Sequence, residues 1–291
     1  MIDPIQAELQ ARGIGNLTFL ADAGLRSVPW AALYNAGTNQ FLIETYSVGL
    51  MPSLSLADTR FVDVRNAQML AAGASTFATQ SPLPAVPQEL ALLRQIWNAQ
   101  VLEEDQFTAD TLRQRRQQTP YGIVHLATHG EFQPGSPENS FIQLKNEQLQ
   151  LDQLRQMGWS NPPLELLVLS ACRTVLGDTE AELGFAGLAL QAGVKSALAS
   201  LWYVSDVGSL ALMTEFYRQL HEAPKATLKA EALRQAQLEL LRGEVAIADG
   251  NLELPGLAEP ISLGPELSGT QVSSLQHPYF WAAYTLSGNP W

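Results

Sequence analysis

The amino-acid sequence predicts an α/β fold, with helices packed on a mainly parallel sheet. Three observations lead there. The runs 123–128 (IVHLAT), 164–170 (LELLVLS) and 195–202 (KSALASLW) are short and mostly apolar, the pattern of strands buried on both faces. Amphipathic stretches lie around them, and strands alternating with helices make βαβ units. Of the 291 residues, 46% are hydrophobic and 16% charged, enough apolar material for a sizeable core.

Taken in order, residues 17–20 read as a strand that stops at the turn signal Asp22-Ala23-Gly24. Residues 41–50 (FLIETYSVGL), rich in β-branched and aromatic side chains, read as a second strand. Three prolines make 79–88 a connector. Residues 89–98 look helical, with Leu90, Leu93 and Trp97 at spacings of three and four. Asp110 is placed to cap a helix through Gln117, ended by Pro120. The polar stretch 130–163 has room for a hairpin and a short helix. Residues 182–192 suit a helix of small residues. Helices are expected at 207–221 (Leu210, Met213, Tyr217, Leu220) and 226–242 (Ala230, Leu233, Ala236, Leu240), the latter ended by Gly243. Residues 244–275 lack periodicity and read as a long loop or partly disordered insertion. Residues 278–288 (PYFWAAYTLSG) read as a final aromatic strand. The whole chain is expected to be one domain, with an N-terminal part to about 118 and a catalytic part from about 119.

Composition excludes several functions. Seventeen basic against 29 acidic residues give a net charge of −12, which disfavours nucleic-acid binding, because that needs Lys and Arg to neutralise phosphates. A single cysteine rules out an internal disulfide and a multi-cysteine zinc site. A lone thiol suits a reducing compartment. No charged-then-apolar leader is visible, and no apolar run approaches the roughly 20 residues a membrane helix needs. The expectation is a soluble, cytoplasmic protein with neither metal nor cofactor.

Two strand ends carry reactive side chains. In ATHG, His129 is read as ending its strand and Gly130 as turning the chain; in LVLSAC, Cys172 is read as lying just past its strand. Ligands of open parallel sheets bind at the carboxyl ends of strands. If the two strands are neighbours, imidazole and thiol meet there. A thiol with a pKa of about 8.5 needs a nearby histidine to become an effective nucleophile. That histidine can then protonate the leaving amine. The backbone amides of Gly130 and Cys172 are the candidate oxyanion donors. Taken singly, a cysteine after an apolar strand is more often a small core residue. His125 lies four residues before His129, but on a strand that spacing spans about 13 Å, so it is read as a hydrogen-bonded core histidine rather than a metal ligand. His221 reads as surface. His277 is expected to begin the last strand and is a reserve base.

The segments YGIVHLATHGEF, LELLVLSACRTVLGDTEAELGFAGLALQAGVKSALASLWYVSD and HPYFWAAYTLSGNPW, with PWAAL and PSLSL nearer the N-terminus, resemble the CHAT family. Those proteins are caspase-like peptidases of the separase and caspase clan, often fused to tetratricopeptide repeats. The likeness is nearest to cyanobacterial HetF-type members and runs over almost the whole chain. It implies a caspase-like three-layer sandwich with His129 and Cys172 as the dyad. They are 43 residues apart, close to the roughly 50 of caspases. The repeats are missing, so the chain resembles a catalytic domain alone. The caspase QACRG motif is also missing, with Ser170-Ala171-Cys172-Arg173-Thr174 in its place, which argues against cleavage after aspartate.

Separases, gingipains and metacaspases, which the chain resembles at a distance, cut after basic residues by means of an acidic pocket. Asp206 lies at the matching place past 195–202. It also competes for the role of N-cap to the helix from about 207. Asp178, Glu180 and Glu182 form a weaker acidic candidate group for a basic side chain or calcium. Arg173 is expected to anchor the loop behind the cysteine. The resulting expectation is a cysteine endopeptidase for Arg or Lys at P1, with a peptide substrate and a regulatory protein or repeat region as partner. Two competitors are a non-catalytic scaffold and a thiol acyl hydrolase. Self-cleavage within 244–275 is not expected, because that segment holds no Arg or Lys.

Overall fold

The structure is a computed structural model. It describes residues 2–22, 24–132, 140–174, 185–223, 225–268 and 272–291; of Asp3, Leu56, Phe132, residues 171–174 and Ser268 it gives the backbone alone. In chain order, α1 (Gln6–Ala11) leads to β1 (Asn16–Phe19), a small hairpin β2 (Tyr34–Asn35) and β3 (Gln40–Phe41), then α2 (Leu42–Thr45) and β4 (Ser47–Leu50). Next come β5 (Met69–Gly73), α3 (Val86–Trp97), β6 (Gln100–Glu103), α4 (Ala109–Gln118) and the long β7 (Ile123–Phe132). A hairpin of β8 (Phe141–Gln143) and β9 (Gln148–Gln150) and a 3-10 turn at Leu151–Met157 precede β10 (Leu166–Thr174). Then come α5 (Phe185–Gln191), β11 (Ser196–Ser200), α6 (Asp206–Glu222) and α7 (Lys229–Arg242). The chain continues through β12 (Ala246–Ala248), β13 (Asn251–Glu253), β14 (Ile261–Ser262), α8 (Gly264–Ser268), α9 (Pro278–Trp281) and β15 (Tyr284–Gly288).

The main sheet has the order β1-β4-β15-β11-β10-β7-β5-β6, with β8 and β9 appended to β7. Along that path every pairing is parallel except β11 with β15. The sheet is thus mainly parallel, with one reversal. Strands at 16–19 and 47–50 share it with those from the rest of the chain.

Alternate residues of the central strands feed two cores. Ile123 and Ala127 of β7 pack with α3, α6 and α7 on one face. Val124 and Leu126 pack with α4, α5 and the 151–157 turn on the other. Helices on both faces complete three layers. Leu166, Leu167, Val168 and Leu169 of β10 are fully buried, which explains why such strands read as unbroken apolar runs. Each such side chain contributes roughly 1.5–3 kcal/mol relative to exposure.

Several expectations need correction. Residues 41–50 are not one strand: Leu42–Thr45 is a helical turn, with the Glu44 carboxylate accepting from the Phe41 N–H at 2.7 Å. The cap of α4 is Thr108, whose hydroxyl accepts from the Thr111 N–H at 3.1 Å; Asp110 lies inside the first turn. Residues 244–275 are not a structureless insertion. They hold the antiparallel sheet β12-β13-β14 and α8, with Leu252 and Leu263 buried against the α6–α7 core. Gly243 ends α7 at φ +73, as its position predicts. The last aromatic segment divides into α9, capped by His277 Nδ1 accepting from the Tyr279 N–H at 3.1 Å, and β15. His277 therefore starts a helix, not a strand. His221 is not simply surface: it is half-buried, its ring 4.6 Å from that of Trp97. Among the described residues no helix is long and apolar enough to cross a membrane.

Candidate active site

The topology picks out one edge of the sheet. From β5 the chain moves outward through α3 to β6. It then returns over β5 through α4 to β7 and continues the other way to β10 and β11. The strand order reverses between β5 and β7, and a crevice opens beyond the carboxyl ends of strands at such a point. β5 stops at Gly73, opposite Ala127, while β7 runs on for five more residues. His129 lies in that overhang.

His129 is thus not the end of its strand, and Gly130 does not turn the chain. Beyond β5, the hairpin strand β8 takes over as neighbour, pairing Ile142 with Gly130 and Phe141 with Glu131. Cys172 likewise lies inside β10, not past it. Both sequence boundaries fell short because polar residues (Gly130, Glu131, Arg173, Thr174) carry the two strands past their apolar stretches.

His129 is half-buried and held from two sides. Its Nε2 lies 2.8 Å from the Ser81 carbonyl oxygen. A carbonyl only accepts, so Nε2 carries the proton, and in the neutral ring Nδ1 is the basic nitrogen. The ring of Phe77 meets the imidazole edge-on, at 4.9 Å and 60°. Burial pushes the His129 pKa below its ordinary value, partly offset by the Ser81 bond. The ring is therefore neutral at pH 7.

The two strands lie side by side, with Ala171 opposite His129 and Cys172 opposite Gly130. Adjacent strands are about 4.8 Å apart, so the backbone carrying the cysteine passes directly beside the residue after the histidine. The register shifts between Leu169 and Ala171. Such a bulge re-aims the residues beyond it, and bulges are common next to active sites. The Ser170 carbonyl at the bulge accepts a hydrogen bond from the Tyr284 hydroxyl of β15. Ser209 Oγ on α6 lies 2.8 Å from that hydroxyl. Gly130 is flanked by β8 and β10, and its N–H points in the sheet plane toward one of them.

Asp206 is the first residue of α6, and it is not the cap. Ser205 caps, its hydroxyl accepting from the Gly208 N–H at 3.1 Å. The Asp206 carboxyl is consequently not consumed by the helix end. Burial first, and then the charge of Glu89, push its pKa up to about 6. Asp178, Glu180 and Glu182 lie outside the described residues, as does the side chain of Arg173. Among the described residues no group of three or more His, Cys, Asp or Glu could hold a metal ion.

Sequence reasoning identifies His125 as a core histidine, and it is one: Nδ1 lies 3.0 Å from the Tyr217 hydroxyl and Nε2 3.0 Å from Glu89 Oε1. It misses Ser81 and Phe77, which sit in the proline-rich connector and its approach, where no periodicity points to a partner. It also misses the bond from Tyr284 to Ser170.

No curated protein sequence matches this chain. Among solved structures, separase in the Saccharomyces cerevisiae separase–securin complex matches at TM-score 0.56 and 11% identity, over 94% of this chain and 16% of that one. Gingipain R (RgpB), an Arg-specific cysteine proteinase, matches at TM-score 0.55 and 10% identity, over 99% of this chain and 66% of that one. A caspase-1 from Spodoptera frugiperda matches at TM-score 0.43 and 11% identity, over 79% and 94%. The chain thus spans about a sixth of the separase, and the likeness is one of fold. The architecture is the caspase-like α/β fold, with a central, mostly parallel sheet. The family model for the CHAT domain matches residues 1–289, so the chain belongs to the CHAT domain family.

Proposed function

We propose that this chain is a cysteine endopeptidase that cleaves after basic residues, arginine preferred, through a His129–Cys172 dyad and a thioester acyl-enzyme. The observation that carries the reading is the setting of His129. Its Nε2–H is tied to Ser81, its pKa is pushed down, and the cysteine strand passes one residue away.

A neutral imidazole works as a general base rather than as one half of a standing ion pair. In the proposed sequence Cys172 Sγ attacks the scissile carbonyl carbon and its proton passes to His129 Nδ1. The proton then goes to the leaving amine as the C–N bond breaks, which leaves the thioester. Water, deprotonated by the same nitrogen, hydrolyses it. The amides of Gly130 and Cys172 are the proposed oxyanion donors. The two residues face each other two positions before the end of their ladder, and to serve in this way their N–H groups must turn out of the sheet plane.

Asp206 is the proposed acceptor for the P1 guanidinium or ammonium. Its support is a carboxyl not used as a cap and already disfavoured as an isolated anion. A cation brought to it relieves that cost, and arginine does so with two parallel hydrogen bonds. Gingipain R, of the same fold, is described as Arg-specific. A regulatory protein partner is proposed by analogy with separase, which was solved bound to securin. A reducing, cytoplasmic setting suits the single thiol.

The test uses fluorogenic peptides ending in Arg, Lys, Asp or Leu. Arg and Lys peptides are expected to be cleaved, and Cys172→Ala or His129→Ala should each reduce turnover to background. Unchanged turnover in either variant ends the proposal.

A further inference from the structure

We propose that Glu104 and Lys145 form a clamp whose task is to position His129, acting through the loop that carries Phe77 and Ser81. This rests on His129 being the base of the proposed reaction, but its contacts stand independently of that reading.

The loop leaves β5 at Gly73 and enters α3 at Val86. Phe77 and Ser81, which touch the imidazole, both belong to it, and neither lies in a helix or strand. A loop with no ladder of its own needs outside anchors to hold an imidazole in one geometry. Its near end has them. Glu104 Oε1 accepts from the Ser75 N–H at 2.8 Å and from the Ser75 hydroxyl at 2.7 Å. Glu104 Oε2 is 3.5 Å from the Thr76 hydroxyl. Lys145 Nζ donates to the Thr76 carbonyl at 2.9 Å, to the Thr76 hydroxyl at 2.6 Å and to Glu104 itself. The loop then closes on itself, the Leu83 N–H donating to the Ser75 carbonyl at 2.8 Å.

Residue 76 is thus fixed one residue before Phe77, and residue 75 is fixed across the loop from Leu83, two residues after Ser81. Two further observations show the clamp to be built rather than incidental. Glu104 adopts φ +50, a left-handed conformation rare for residues other than glycine; such backbone persists only where its surroundings over-determine it. Burial alone would raise its carboxyl, yet the Lys145 and Ser75 bonds hold it down to about 2. Lys145 comes from the turn between β8 and β9, the same hairpin whose β8 pairs with Gly130. One hairpin therefore supports the catalytic edge from both sides: through the ladder at Gly130, and through Lys145 at the loop on His129.

The experiment is an NMR titration of the His129 ring in the full chain, with its resonances assigned through His129→Gln. In the wild type, His129 should titrate below the ordinary histidine value of about 6.5 as the Nε2–H tautomer. In Lys145→Met and in Glu104→Gln, its titration should move up toward that value and the tautomer should become mixed. Lys145→Arg, which keeps charge and donors, should restore most of both. On Arg peptides, kcat should fall about tenfold in the Met and Gln variants with KM little changed, as expected when an interaction made in the transition state is lost. An unmoved titration and an unmixed tautomer in folded Lys145→Met overturn the clamp. If Lys145→Met does not fold, Ser75→Ala, which removes a single hydroxyl bond, takes its place: a smaller shift in the same direction supports the clamp, and no shift overturns it. A chain that shows the shift but cleaves nothing loses the peptidase reading and keeps the clamp. One that cleaves with His129 unmoved loses the clamp alone.

Discussion

Two stretches of β7 put the same side chain to opposite uses. In the lower stretch, between β5 and β10, His125 is fully buried and pinned by Tyr217 of α6 and Glu89 of α3. In the upper stretch, between β8 and β10, His129 is half-buried and held by a loop carbonyl and a phenyl edge. Four residues apart on one strand, the first ties three elements together and the second is left at the crevice, its Nδ1 not engaged by any described residue. The change of neighbour from β5 to β8 separates them. Below it both faces are covered by helices; above it a loop lies over the strand.

The sharpest way to break this contrast is to delete each ring in turn. His129→Ala should cost about 10²–10⁴-fold in kcat/KM, while the thermal midpoint stays within a few degrees of wild type. His125→Ala should do the reverse. A cavity and two orphaned buried partners cost about 2–4 kcal/mol, read as a lowered denaturant midpoint, with near-normal turnover in the protein that remains folded. If both variants lose activity without losing stability, the two stretches are not different in kind.

Asp206 offers the next test. Asp206→Asn should lose about 10²-fold on Arg peptides, from a missing charge-assisted pair worth roughly 2–3 kcal/mol, while residual cleavage becomes insensitive to the P1 charge. In the wild type, KM for Arg peptides should rise as pH falls through about 6, where the carboxyl takes up its proton. The stability effect has the opposite sense. The folded pKa of about 6 lies above the usual 3.9, so between those values the folded state holds a proton that the unfolded chain has released. Stability is therefore lost as pH rises through that window. Asp206→Asn should lack this loss and be the more stable protein at pH 7, measured by chemical denaturation at pH 4 and 7.

Two hydroxyl deletions give smaller effects and refine the comparison. Tyr284→Phe leaves the Ser170 carbonyl at the bulge without its donor. It should cost about 1–2 kcal/mol and lower kcat, since Ser170 leads into Cys172. Tyr217→Phe removes a bond to His125. It should cost about 1 kcal/mol with kcat unchanged.

The same contrast explains which parts of the molecule are legible in the sequence. Strands β7, β10 and β11 and helices α6 and α7 announce themselves because burial on both faces or along one stripe leaves a regular apolar pattern. His125 is readable as core because its neighbours Val124 and Leu126 are core. The upper region is not legible. Its strands continue through Gly130, Glu131 and Arg173, whose types carry no strand signal and which outweigh the β-branched Thr174 at the end, and its contacts come from loop backbone, which any residue can supply. Ser81 is the clearest case, since its carbonyl makes the contact and its side chain is incidental. The cap of α6 escapes for a related reason: Ser205 and Asp206 are both good cap residues, and only geometry separates them. The β12–β14 sheet escapes because strands of two or three residues are too short to show a period.

The place of β15 has a consequence for how the molecule assembles. It lies between β4 and β11 in the middle of the main sheet, so Leu286 pairs with Gly49 on one side and with Leu198 on the other. Strands β1 and β4 precede the other strands of the main sheet in the chain but cannot join the larger block until residues 284–288 have emerged from the ribosome. Contacts of such long sequence separation form slowly, and until they form the half-sheet waits with an open edge. The Tyr284 hydroxyl that braces Ser170 arrives on the same late strand. The backbone that leads into the proposed nucleophile is therefore set only after Tyr284 has been made, more than a hundred residues behind Ser170 itself.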